Sequence, residues 1–301
     1  MDFTSLKTRV AQETGIDLTT DDSMVGTWVN GSYQHISGVF NWPWLFKNST
    51  IQTVADITTG TVSINANSTA LTFSSAPTVS VANDYMIQFT YSDDWYLISS
   101  HTAASTSATL SVPYVGTSNL SGGTYILRKI YYSMPSDLDR IIDIRQSITK
   151  DKLGYIDPRT FDFLVPDVTQ TGSPLYYSFV GLDSSNYWRA GFFPTPNAVI
   201  NLQIRYYKKI TELSSSTDEP IIPVKWHNGI IFGALSLYGH SFIDDTRIAE
   251  AKVRFETVLD EMMDHNSHVP DQMNIIQPWD IRKGRRIGPL RLPPNYSNWN
   301  W

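Results

Sequence analysis

The hydrophobic period of this chain changes twice, and few folds accommodate both changes. In the stretch from Met24 to Phe46, Val25, Val29, Tyr33, Ile36 and Phe40 recur at spacings of three and four. That is one face of an α-helix. Asp21, Asp22 and Ser23 precede it as N-cap and first-turn residues, where acids suit the helix dipole. Pro43 ends it, because proline pushes its predecessor out of the helical region. Trp42, Trp44, Leu45 and Phe46 are too apolar to lie free, so this corner needs an anchor. From Thr50 to Ile130 the period falls to two. Thr61–Ile64, Ala70–Phe73, Tyr85–Phe89, Trp95–Ile98, Thr109–Val112 and Thr124–Arg128 read as short strands. Clusters such as Ala66-Asn67-Ser68 and Ser121-Gly122-Gly123 turn the chain between them. Strands so spaced predict a small antiparallel barrel or sandwich.

Helical spacing returns over 224–266. Ile231, Leu235, Tyr238 and Phe242 share one face, then Ile248, Phe255, Leu259 and Met262 share another, with Asp244-Asp245-Thr246 between them. Gly229, Gly233 and Gly239 each cost about 1 kcal/mol relative to alanine in a helix, so they signal close backbone approach. A short helix opens the chain, with Phe3, Leu6 and Val10 on one stripe and Gly15 as C-cap. A second β-rich region fills 131–213, with strands at Leu164-Val165-Pro166, Tyr176–Phe179, Trp188–Phe193 and Ile200–Tyr207. The fold class is therefore α+β. Helices at 4–14, 22–40, 225–242 and 245–265 form a helical layer beside an antiparallel β region. Residues 1–50 and 131–266 make the scaffold, 51–130 an inserted β module, and 267–301 an extended tail.

A chain of 301 residues can bury a full core, and 41% hydrophobic with 17% charged residues suits a soluble globular protein of two structural units. The net charge of −6 argues against general nucleic-acid binding. Without cysteine there is no disulfide framework, thiolate zinc site or cysteine nucleophile. Met1–Gly15 has no apolar signal core, and no apolar run reaches membrane-spanning length, so a soluble protein assembled in a cytoplasm is expected, without membrane contact. No G-x-S-x-G, phosphate loop or H-E-x-x-H occurs. His265 and His268 lie three apart, but no carboxylate completes a metal set. No catalytic, cofactor-binding or metal-binding residue is assigned, although a paired-carboxylate glycosidase needs no sequence neighbours.

The order of parts carries a resemblance. Helices are followed by the Trp42-Pro43-Trp44-Leu45 corner, a β module and the Tyr132–Ile142 turn and strand. Then come Gly172-Ser-Pro-Leu-Tyr-Tyr, Phe193-Pro-Thr-Pro, Ile204-Arg-Tyr-Tyr, Ile221-Ile-Pro and a closing helix pair. Over roughly residues 4–265 this resembles the head-to-tail adaptor (connector) proteins of tailed bacteriophages. The resemblance implies a non-enzymatic ring subunit, typically in twelve copies, without cofactor. It would sit in the virion neck between portal and a tail or nozzle protein, around a channel for DNA. It also implies a C-terminal segment that docks on the portal. The tail of this chain suits such a role in kind: Trp279, Arg282, Lys283, Arg285, Arg286, Arg291, Tyr296, Trp299 and Trp301 lie among Pro278, Pro289, Pro293 and Pro294. Trp, Tyr and Arg dominate interface hot spots, and proline pre-extends a chain and lowers its entropy loss on docking. A disordered basic tail is the plainer reading of that composition, and passing DNA is a second partner for the arginines. A competing class is a carbohydrate-binding or wall-degrading virion protein with Trp95, Tyr96 and Tyr114 as sugar platforms. Alternation puts Trp95 and Tyr96 on opposite faces and leaves that undecided.

Overall fold

The computed structural model describes residues 1–90, 92–164, 168–239 and 243–267. Its elements are α1 (Phe3–Thr14), α2 (Leu18–Val39), β1 (Phe46–Gln52), β2 (Val62–Ile64), β3 (Ala70–Phe73), β4 (Tyr85–Phe89) and β5 (Trp95–His101). Then follow β6 (Ser107–Leu110), β7 (Leu120–Gly123), β8 (Tyr125–Lys129), β9 (Tyr131–Ser133), β10 (Leu138–Gln146), β11 (Gly154–Tyr155) and α3 (Pro158–Leu164). Last come β12 (Tyr176–Leu182), β13 (Trp188–Phe193), β14 (Asn201–Lys208), α4 (His227–Tyr238) and α5 (Asp245–Ser267). Two compact units result: residues 1–36 with the segment from 215 onward, and residues 37–214.

The first unit is helical. Asp2 caps α1 by accepting the Ser5 N–H at 2.8 Å, and Gly15 closes it at φ 73°. Helix α2 starts earlier than its acidic pair predicts. Asp17 competes successfully for the cap, its carboxylate accepting the Thr19 N–H at 2.8 Å, and Asp21 becomes a kink at φ −118°, ψ 20°. Four of the five positions of the apolar face, Val25, Val29, Tyr33 and Ile36, are buried as the spacing predicts, whereas Phe40 lies past the end of α2 and is exposed, its ring edge-on to Trp42. Helix α4 packs on α1 and α5. A Cβ on Gly233 would run into Ser32 Oγ of α2 and lie 2.8 Å from the Phe255 ring of α5, so only glycine admits this approach. Phe242, expected on the same helix face, lies outside the described residues, as does His240. His227 is buried between the Met1 ammonium, 2.9 Å from Nδ1, and the Ile222 carbonyl, 2.8 Å from Nε2. An ammonium only donates, so Nδ1 accepts and Nε2–H donates to Ile222. Burial lowers the His227 pKa, and the ammonium adds to that.

The second unit holds three sheets. One runs β1-β14-β10, a second β11-β12-β13-β9 and a third β7-β2-β3-β6-β5-β4-β8. Leu202, Ile204 and Tyr206 of β14 share a core with Ile144, Tyr132, Tyr177 and Phe192. The seven-stranded sheet buries alternate residues, among them Val62, Ile64, Leu71, Phe73, Ile87, Phe89 and Ile98. Its terminal strands β7 and β8 are separated by Thr124 alone, so its two edges approach within about 7 Å there. The sheet is therefore a curled half-barrel rather than a two-sheet sandwich.

One local expectation is corrected. Leu164 ends helix α3 and starts no strand; Val165 and Pro166 lie outside the described residues. The Asp157 carboxylate accepts the Thr160 N–H at 3.1 Å, and Pro158 stands at the first helical position, a start signal that outweighs the apolar triplet after it. The aromatic corner is anchored, as its apolar residues require. Trp42 is fully buried and stacks on Trp44 with centroids 4.8 Å apart, and Phe46 then opens β1.

Candidate functional site

Trp279, Arg282, Lys283, Arg285, Arg286, Arg291, Tyr296, Trp299 and Trp301 all lie outside the described residues, as does His268. The described candidates are surfaces of the second unit. On the four-stranded sheet, Tyr177 and Phe179 of β12 point to one face, two residues apart. Tyr155 of β11 lies 5.5 Å from the Tyr177 ring, and Trp188 of β13 lies 5.4 Å from the Phe179 ring. Tyr177 is in the core, whereas Tyr155 is 56% and Trp188 38% exposed. The core thus runs out into an open aromatic strip. Such a strip excludes water from a partner and offers polar tips at its rim, which suits protein docking. Aromatics at alternate positions in 176–193 were its sequence signal.

The charged groups near these sheets are tied within the protein. Asp143 is buried on β10. Burial pushes its carboxyl upward, but hydrogen bonds from Arg205, at 2.9 and 2.7 Å, and from Arg145, at 2.9 Å, outweigh that and lower its pKa. Asp84 is pushed up by burial, against Lys129 and Arg189, whose Nη1 lies 3.4 Å away. Asp183 is lowered: burial opposes, but the Tyr187 N–H, the Ser133 hydroxyl and the Ser185 N–H prevail. Two acids with pKa values pushed apart are the pattern of an acid and base pair. Here one is bound to Arg189 and the other shapes a turn, which favours a structural use. Among the described residues no three His, Asp or Glu converge as a metal set, and no helix is long and apolar enough to cross a membrane.

The sugar-platform residues are placed firmly. Tyr96 and Tyr114 are 3% and 9% exposed and form an internal cluster with Phe89, with ring centroids 5.2–6.0 Å apart. The Trp95 ring is covered by the Arg128 guanidinium at 4.8 Å. Tyr96 and Tyr114 therefore offer no free face for a sugar ring, and Trp95 is half-buried with Arg128 over its ring.

The family model described as SU10 adaptor protein matches residues 106–277. The chain belongs to the SU10 adaptor protein family. This adaptor is therefore a structural bacteriophage protein, a component of the virion that interacts with other virion proteins. The match runs from β6 through β14 and the closing helices, and ends ten residues past α5. A search of the curated proteins finds no match.

Proposed function

We propose that this adaptor is a non-enzymatic ring subunit of the virion neck, in about twelve copies, joining the portal above to a tail or nozzle protein below. Its ring would form part of the DNA channel. The observation that carries this reading is the adaptor-family match across more than half of the chain. We divide the chain as scaffold 1–50 and 131–266, inserted module 51–130 and docking segment 267–301. In that segment Arg282, Lys283, Arg285, Arg286 and Arg291 meet acidic groups of the portal, while Trp279, Tyr296, Trp299 and Trp301 fill apolar pockets. The five basic residues face two aspartates in the segment, so the rest of the chain is more acidic than its net −6.

The test is the mass of the purified assembly, alone and with portal, for the full chain and for a chain lacking residues 279–301. The full chain should give a ring and a ring–portal complex, and the truncated chain should lose portal binding. Unchanged portal affinity after truncation sinks the docking role. Binding that falls steeply with salt while tryptophan substitutions do nothing would reduce the contact to electrostatics. Retention on host wall polysaccharide would instead favour a carbohydrate-binding virion protein.

A further inference from the structure

An exposed sheet edge is a template for another strand, and proteins guard such edges with bulges, short strands, charges or covering segments. Among the described residues every edge but one is guarded. Strand β7 has four residues, mutual Ile57–Leu127 hydrogen bonds cover β8, and β11 and β9 have two and three residues. Strand β10 has two register shifts, and residues 151–153 cover its end, the Gln146 N–H donating to Asp151 and the Leu153 N–H to Ile144. Strand β1 has none of these devices. It pairs with β14 residue for residue from Phe46↔Tyr207 to Gln52↔Asn201, without shift or proline. Its one charge, Lys47, is held by Asp137 at 2.7 Å.

The register shows which groups of β1 point outward. The Thr53 N–H donates to the Ile200 carbonyl, and the Asn201 carbonyl accepts from Ser147 on the β10 side. Antiparallel pairs alternate, so Lys47, Ser49 and Ile51 bond to β14. Asn48, Thr50 and Gln52 then turn their N–H and C=O away from it. All three are exposed, and no described group takes those backbone atoms.

We propose that this edge receives a strand from the segment Asp271–Gln277 of a second copy of the chain. This rests on the reading of the protein as a ring subunit whose C-terminal segment runs over neighbours. Asp271-Gln-Met-Asn-Ile-Ile-Gln277 is seven residues long, like β1, and Pro270 and Pro278 bound it. Proline cannot donate to a ladder, so the pairing would stop at both ends. The segment carries one charge and the β-branched pair Ile275-Ile276, which suits a strand. The family match ends at Gln277, one residue before Pro278. The strand segment therefore lies inside the part that matches the family model, and β1 lies before it. Strand addition supplies main-chain hydrogen bonds, and exposed Phe46 on β1 gives the incoming apolar side chains cover.

The chain has no cysteine, so engineered pairs report cleanly. Asn48→Cys or Thr50→Cys, mixed with Asn274→Cys or Ile275→Cys on separate chains and oxidised, should give disulfide-linked pairs of full-length chains. Asn48→Pro removes one outward N–H and no bond to β14. It should keep the circular dichroism of the parent and lose assembly at concentrations where the parent forms rings. Removal of residues 279–301 should leave both cross-linking and assembly intact. Cross-links confined to single chains carrying both cysteines would show that the segment covers its own β1 and overturn the proposal. So would intact rings in Asn48→Pro with no cross-link in any pairing. A parent chain that neither assembles nor binds portal would instead refute the ring reading on which the proposal stands.

Discussion

Arg128 offers the sharpest test of how the curled sheet is held. It lies near the end of β8, and its partner Asp56 precedes β2, so the pair ties together the two ends of the segment 56–128. Arg128 Nε and Nη2 reach the Asp56 carboxylate at 3.0 and 2.7 Å, and Nη1 donates to the Val168 carbonyl at 2.7 Å. The guanidinium covers the Trp95 ring, and mutual Ile57–Leu127 hydrogen bonds of 2.9 Å lie alongside. The Arg128 side chain is 7% exposed and that of Asp56 18%. Asp56→Ala leaves a buried guanidinium without its counter-charge, which costs about 3–5 kcal/mol. In a unit of this size that lowers the melting temperature by roughly 6–20 °C. Arg128→Met costs less, since Asp56 is nearer to water. The double variant removes both charges and should be more stable than Asp56→Ala alone, with a coupling on the order of 2–3 kcal/mol. Denaturant unfolding of the four proteins followed by tryptophan fluorescence measures the cycle. A loss below about 1 kcal/mol for Asp56→Ala, or strictly additive singles, refutes the tie.

Four further outcomes are expected. His227 titrates below the usual imidazole value of 6.5 in the folded state, so the unfolded chain takes up its proton first; stability should be full above that pH and fall as pH drops below it. Urea unfolding from pH 8 to 5 should show this slope in the parent, and His227→Gln should flatten it. The lowered pKa of Asp143 stabilises the fold above the usual carboxylate value of 3.8 and is lost as pH falls through the folded value, so Asp143→Asn should flatten the acid limb of the same titration. Gly38 is exposed near the end of α2 with nothing within 4 Å of a built Cβ, so Gly38→Ala should stabilise by about 0.5–1 kcal/mol, whereas Gly233→Ala should destabilise by about 1–3 kcal/mol through overpacking; equal signs for the two would contradict the packing argument. Replacing residues 58–128 with a short Gly/Ser linker, together with Asp56→Asn so that no orphan charge remains, should leave a soluble remainder with a cooperative melt, and aggregation in every buffer tried would count against a modular insert.

The helices were legible because their signal is local. The faces Val25-Val29-Tyr33-Ile36 and Ile248-Phe255-Leu259-Met262, and the Gly15 cap, depend on neighbours within two turns. The strand alternation of 61–128 was legible for the same reason. Where two local signals competed, the shorter-range one won: Asp157-Pro158 started a helix over the apolar Leu164-Val165-Pro166, and Asp17 displaced Asp21 as a cap. The composition of the tail pointed to docking, and its residues lie outside the described ones. Strand β1 had no signature at all, since Phe46-Lys-Asn-Ser-Thr-Ile-Gln52 shows no clean alternation. Its identity comes from β14, about 150 positions away in sequence. Tertiary pairing also decided that Tyr96 points inward while Arg128 covers Trp95, because alternation assigns two faces without saying which is wet. In the same way the sequence determined that strands would form, and the order of the sheets determined which of them was left with an open edge. An edge is defined by a missing neighbour, and only the completed set of long-range hydrogen bonds shows where the neighbour is missing.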